Sequence, residues 1–254
     1  MSSTAYPPLS VAYPLSVRGV FDQPSRALWL VKWLLLIPHY IILVFLWLAF
    51  WIVTVIAFFA ILFTTRYPKS LFDFNVGVIR WSWRVSFYGY AALGTDRYPP
   101  FTLADVPDYP ARLDLEYPQQ LNRWLPLVKW LLAVPQYLIV GALVGSGYVV
   151  ATSMQDGRAV SYSTPSLIGA CVLIAAIALL FTTRYPPGLF DLALGIDRWA
   201  YRLLVYAALM TDRYPPFRLD QGSIDIEGPP QPPATSEAWQ AEQPPGYGPE
   251  AEQK

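Results

Sequence analysis

The ionisable side chains that could do chemistry in this chain come in two matching sets. Asp73, Arg80 and Arg84 recur as Asp191, Arg198 and Arg202, with Gly77 and Gly195 between them, at steps of four, three and four residues. That spacing lines each set along one narrow stripe of a helix. Two guanidiniums on one stripe offer planar, bidentate donors suited to a phosphate or carboxylate. The plainer reading is an ion-pair network in which an acid such as Asp73 or Asp96 satisfies an arginine of either set. A second recurrent group is Arg-Tyr-Pro, beginning at Arg66, Arg97, Arg184 and Arg213. It joins a snorkelling cation, an interfacial aromatic and a helix stop, which suffices for anchoring at a membrane surface. The same arginines could also touch anionic lipid headgroups or a partner. Asp96 and Asp212 precede two of them and are candidate ion-pair partners, with Asp73 and Asp191.

Catalytic parts are scarce. The chain has one His (His39, beside Pro38) and one Cys (Cys171), so it has no internal disulfide and no His-rich or Cys-based metal cluster. No phosphate-binding loop, dinucleotide fingerprint, nucleophile elbow or HExxH helix is present. We therefore expect no catalytic residue, no metal and no cofactor, and hence no enzyme. Eighteen basic residues balance eighteen acidic ones, which gives no basic surplus for nucleic acid.

The elements that must position these residues are apolar. Of the 254 residues 54% are apolar, 16% aromatic and 14% charged, against roughly 25% charged in a soluble domain. From Trp33 to Thr65 there is no Asp, Glu, Lys or Arg, a run beyond the ~20 residues that one crossing needs. Similar runs extend from Trp130 to Gln155 and from Ala159 to Thr183, around a polar loop at Asp156, Gly157 and Arg158. The leading segment has neither the basic start nor the short apolar core of a cleavable signal.

An internal duplication organises the whole. VKWLLLIPHY (Val31 to Tyr40) returns as VKWLLAVPQY (Val128 to Tyr137), and FTTRYPKSLFDFNVGVIRWSWR (Phe63 to Arg84) as FTTRYPPGLFDLALGIDRWAYR (Phe181 to Arg202). Both copies close on TDRYPPF, at Thr95 and at Thr211. The expected fold is an all-α multi-pass membrane protein with short cytoplasmic β-strands. In it, repeat 1 (10–104) holds a membrane hairpin over 27–63 and an amphipathic interfacial helix over 70–93. Repeat 2 (105–221) holds transmembrane segments 125–151 and 166–183 and an amphipathic helix over 188–210. The hairpin over 27–63 gives only ~18 residues per crossing and has no Gly, Pro or Asn near Phe45 to Trp51, so a single tilted helix is the alternative. The third helix of each copy reads as interfacial because two Arg and one Asp at mid-membrane cost roughly 8 to 10 kcal/mol against a gain of about 4 to 8. Period-two alternation marks strands at Leu15 to Phe21, Ala111 to Tyr117 and Ile224 to Glu227. Residues 222–254, rich in Pro, Glu, Gln and Gly, read as a disordered tail.

The order KWLL-x-x-P-x-Y, FTTRYP-x-x-LFD-x-x-x-G-x-x-RW-x-x-R and TDRYPPF resembles a bacterial membrane-protein family, the domain of unknown function 4389, in tandem over about residues 10 to 220. The resemblance implies a multi-pass membrane protein and supplies no activity, cofactor or catalytic residue. Asp197, where copy one has Ile79, departs between the copies.

In a four-crossing arrangement only Arg158 of the 18 basic residues falls on the far side, so the positive-inside rule puts both termini and all Arg-Tyr-Pro motifs in the cytoplasm. The function expected is a non-catalytic scaffold or accessory subunit of the cytoplasmic membrane. Its partners would be membrane lipids, and other membrane proteins or a cytoplasmic partner of the Pro-rich tail. The alternative is a transporter or lipid-handling protein using the paired Arg stripes at the repeat interface.

Overall fold

The computed structural model describes residues 13–145, 148–149, 154–155, 158–159, 162–163, 166–182 and 185–220. The expected strand at Ile224 to Glu227 and the tail over 222–254 lie outside the described residues. The chain runs β1 (Leu15–Gly19), α1 (Trp29–Thr64), α2 (Lys69–Tyr88), β2 (Ala111–Leu115), α3 (Leu125–Leu132) and α4 (Val134–Val144). Four two-residue strands β3–β6 follow (Tyr148–Val149, Met154–Gln155, Arg158–Ala159, Tyr162–Ser163), then α5 (Leu167–Thr182) and α6 (Pro187–Ala207).

The expected hairpin over 27–63 is instead one continuous helix of 36 residues, α1. Nothing between Ile41 and Ile61 stops helix propagation, because the run lacks Gly, Pro and Asn. The helix ends only where Thr65 takes a left-handed conformation (φ 60°), three residues before Pro68. Copy two behaves differently around the same motif. The partner of Pro38 is Pro135, where α3 and α4 meet at a bend of 46°, and Gly145 (φ 99°) ends α4 ahead of the inserted loop. Among the described residues one helix, α1, is long and apolar enough to cross a membrane, and the bent α3–α4 pair makes a second if counted as one span. Only 22% of the most apolar stretch of α1 is buried, unlike the core helix of a soluble domain.

Three layers result. The seam of α1 packs on α2, where Trp47 Nε1 donates to Ser82 Oγ (3.1 Å) and Asn75 Nδ2 to Thr54 Oγ1 (3.2 Å), so the two helices run antiparallel. The opposite face of α2, carrying Phe72, Val76, Arg80, Trp83 and Phe87, rests on the β1–β2 sheet, whose inward residues Leu15, Val17, Leu113 and Leu115 are buried. In copy two α4 and α5 cover α6, which in turn meets β1. The strands are antiparallel with Val17 opposite Leu113. Each copy thus contributes one strand to a shared sheet.

The expected amphipathic helices are α2 and α6, and their place is the correction. They form the middle layer, with Trp83, Arg84, Arg198 and Arg202 fully buried, rather than lying at an interface with their Arg stripe outward. Each then turns into TDRYPPF through a left-handed leucine, Leu93 (φ 49°) and Leu209 (φ 64°), an expensive conformation for a residue with a Cβ.

Candidate functional site

Two equivalent clasps hold the closing TDRYPPF of each copy against its first helix. In copy one Lys32 Nζ donates to Thr95 O (2.7 Å), pairs with Asp96 (3.1 Å) and lies 4.5 Å from the Tyr88 ring centre. In copy two Lys129 Nζ donates to Thr211 O (2.8 Å), pairs with Asp212 (2.7 Å) and lies 5.1 Å from the Tyr206 ring centre. Asp96 and Asp212 also accept backbone N–H bonds, from Ser25 (2.5 Å) and Asn122 (2.6 Å). Burial raises the Asp96 carboxyl, yet the bonds from Ser25 and Lys32 outweigh it and hold it below the usual carboxylate value. Tyr98 and Tyr214 of the Arg-Tyr-Pro motifs donate to Leu35 O (3.0 Å) and Leu132 O (3.1 Å). Trp81 donates to His39 Nδ1 (3.1 Å) and Trp199 to Gln136 Oε1 (2.6 Å). The lone histidine is therefore an acceptor in a structural clasp, a task that Gln136 performs in the other copy.

The arginine stripes are spent inward. Arg80 Nε donates to Leu113 O (2.8 Å) and Nη2 to Asp114 (2.9 Å), while Arg198 Nε donates to Val17 O (2.9 Å) and Nη1 to Asp220 O (2.7 Å). The α2 helix of copy one thus holds the strand of copy two, and the α6 helix of copy two holds the strand of copy one. Arg84 donates to Ala104 O (3.0 Å) and to Thr102 O, and Arg202 pairs with Asp220 (2.6 Å). Asp220, which sequence reasoning missed, also pairs with Arg218 (2.5 Å). Burial raises the Asp220 carboxyl, but Arg218 and Arg202 together hold it below the ordinary value. The only sequence signal for Asp220 was its place just beyond the second TDRYPPF.

The remaining predicted residues are scattered. Arg66, Arg97 and Arg213 are exposed, and Arg97 donates to Asp108 O (2.7 Å). Arg184 lies outside the described residues. Asp73 pairs with Lys69 (3.1 Å) at the surface, and Asp191 is half-buried. Asp197 is buried in α6 with Oδ2 lacking a hydrogen-bond partner among the described residues, and burial pushes its carboxyl well above the usual range.

Two hollows remain. An apolar cleft of about 300 Å³ opens between α1 and the α3–α4 bend, walled by Trp51, Phe58, Phe59, Trp130 and Tyr137. A charged recess of about 290 Å³ lies between α2 and β2, with Lys69, Asp73, Arg80 and Asp114 around a floor of Phe72 and Val76. Neither presents a nucleophile beside a base. Among the described residues no group of His, Cys, Asp and Glu could hold a metal ion. The arrangement can bind and brace.

The family model described as a domain of unknown function (DUF4389) matches residues 26–102 and 159–218. Comparison with curated proteins and with solved structures finds no match.

Proposed function

The chain belongs to the DUF4389 family, and on that premise we propose that it is a non-catalytic scaffold or accessory subunit seated in the cytoplasmic membrane. The observation that carries this reading is the fate of the interior cations. Lys32, Lys129, Arg84, Arg198 and Arg202 are buried against main-chain carbonyls and structural acids, which suits rigid bracing. What stays open is surface, including the apolar outer layer and the exposed Arg66, Arg97 and Arg213. Purification in mild detergent from cells at native expression should recover a stoichiometric partner, lost in Arg66→Glu with Arg213→Glu while thermal unfolding is unchanged. Recovery of the bare protein would contradict the reading.

A second reading, lipid handling, is favoured by the cleft at the α3–α4 bend, whose aromatic walls suit one acyl chain. Support for it rests on this cleft rather than on the arginine stripes. Native mass spectrometry should show co-purified phospholipid falling several-fold in Phe59→Ala with Trp130→Ala. Equal lipid occupancy in the variant would sink the idea.

A further inference from the structure

We infer that the outer layer formed by α1, α3, α4 and α5 lies in the plane of one membrane leaflet, so that the protein enters the bilayer from one side and keeps its sheet in water. The inference rests on the membrane seating proposed above and is independent of the scaffold role.

The direction of β2 relative to α1 is fixed by contacts at both of its ends. Just before it, Tyr109 donates to Arg97 O (2.9 Å), and Tyr98 of that motif reaches Leu35 near the start of α1. Just after it, Tyr117 donates to Tyr67 O and the Leu121 N–H to Thr65 O (2.9 Å), at the far end of α1. A strand bearing Arg112 and Asp114 therefore runs lengthwise along the helix, one layer away. If α1 stood upright through the bilayer, this strand would stand at the same depth. Among the described residues the sheet has two strands and two outer edges, and open edges do not occur in hydrocarbon. Asp114 is also 62% exposed at its side chain, and a charge at mid-membrane is costly.

Laid flat, α1 raises none of these conflicts. Its 36 residues give about 54 Å at ~1.5 Å per residue, well over the ~30 Å hydrocarbon thickness. Exposed apolar side chains run its whole length, from Leu30 to Phe63, and continue on Trp130 and Leu138 of the bent pair and Ile174 and Phe181 of α5. The single charged residue of α1, Lys32, is turned inward. Arg66, Arg97 and Arg213, exposed at the ends of the layers with Tyr98 and Tyr214, complement anionic headgroups around this face. Such a face, too extensive for a soluble monomer, fits a lipid leaflet.

Nitroxide labels on the full-length chain test this, placed singly by Leu30→Cys, Leu48→Cys, Phe59→Cys and Asp114→Cys in a Cys171→Ser background. The three α1 positions share one helix face. Reconstituted into phosphatidylethanolamine–phosphatidylglycerol vesicles, the three α1 labels should report one common depth from oxygen and nickel-chelate accessibility, with the Asp114 position open to the chelate. A profile deepest at Leu48 and shallow at Leu30 and Phe59 would overturn in-plane insertion while leaving the membrane reading intact. Labels on α1 shielded from both reagents, in a chain that sediments as a lipid-free dimer, would overturn both.

Discussion

His39 and Gln136 perform one task with different chemistry. Each accepts the indole N–H of an equivalent tryptophan, and Gln136 Nε2 additionally donates to Pro215 O (2.8 Å), whereas His39 Nε2 is buried without a hydrogen-bond partner among the described residues. His39→Gln should therefore be tolerated or slightly stabilising, because it supplies a donor toward the equivalent Pro99. His39→Ala should cost about 1 to 3 kcal/mol by stranding the Trp81 N–H, as read from chemical unfolding in detergent; a costly His39→Gln would show that the imidazole does something the amide cannot. Asp220 gives the pH dependence. Its folded carboxyl is held below the ordinary value, so its contribution is complete above the unfolded value near ~3.9 and disappears as pH falls through the lower folded value. Melting temperature should fall steeply below about pH 4, and Asp220→Asn should flatten that acid limb while costing about 3 to 5 kcal/mol at neutral pH by leaving Arg202 without its anion. At this scale the sequence located the polar residues of both copies but not their partners. The acceptors are mostly main-chain carbonyls of Val17, Leu113, Thr95 and Thr211, which side-chain identity cannot reveal.

At the scale of elements, the alternation in Leu15 to Phe21 and Ala111 to Tyr117 and the helical stripes were legible, since each is a local period. The length of α1 was legible too, in the missing turn residues around Phe45 to Trp51, yet analogy with copy two suggested a hairpin there. Copy two breaks because it has Gly145 and an insertion, features that copy one lacks. The exchange of strands between copies was hidden, because it depends on Arg80 reaching Leu113 and Arg198 reaching Val17 across the duplication. It has a direct consequence. Residues 1–104 and 105–254 expressed separately should each fail to give a folded monomer and should associate when co-expressed; a cooperative thermal transition from monomeric 1–104 alone would show that the exchange is dispensable.

For the whole molecule, a helix long and apolar enough to span a membrane was legible in the composition, and the layering was not. Hydropathy reports how apolar a helix is and says nothing of what runs beside it. The lengthwise sheet beneath α2 is what turns a helix long enough to cross into one better placed along a leaflet. The zero net charge acquires a structural meaning here: buried Lys32, Lys129 and Arg202 pair with Asp96, Asp212 and Asp220, while buried Arg84 and Arg198 donate to main-chain carbonyls. One-sided seating of this braced scaffold is tested most directly by labelling Arg66→Cys and Arg97→Cys, at the two ends of α1, with an impermeable maleimide in a Cys171→Ser background. Both positions should react from the same side of the membrane, in intact spheroplasts or in inverted vesicles but not one in each. Reaction of Arg66→Cys from one side and Arg97→Cys from the other would contradict the account and make α1 a crossing helix.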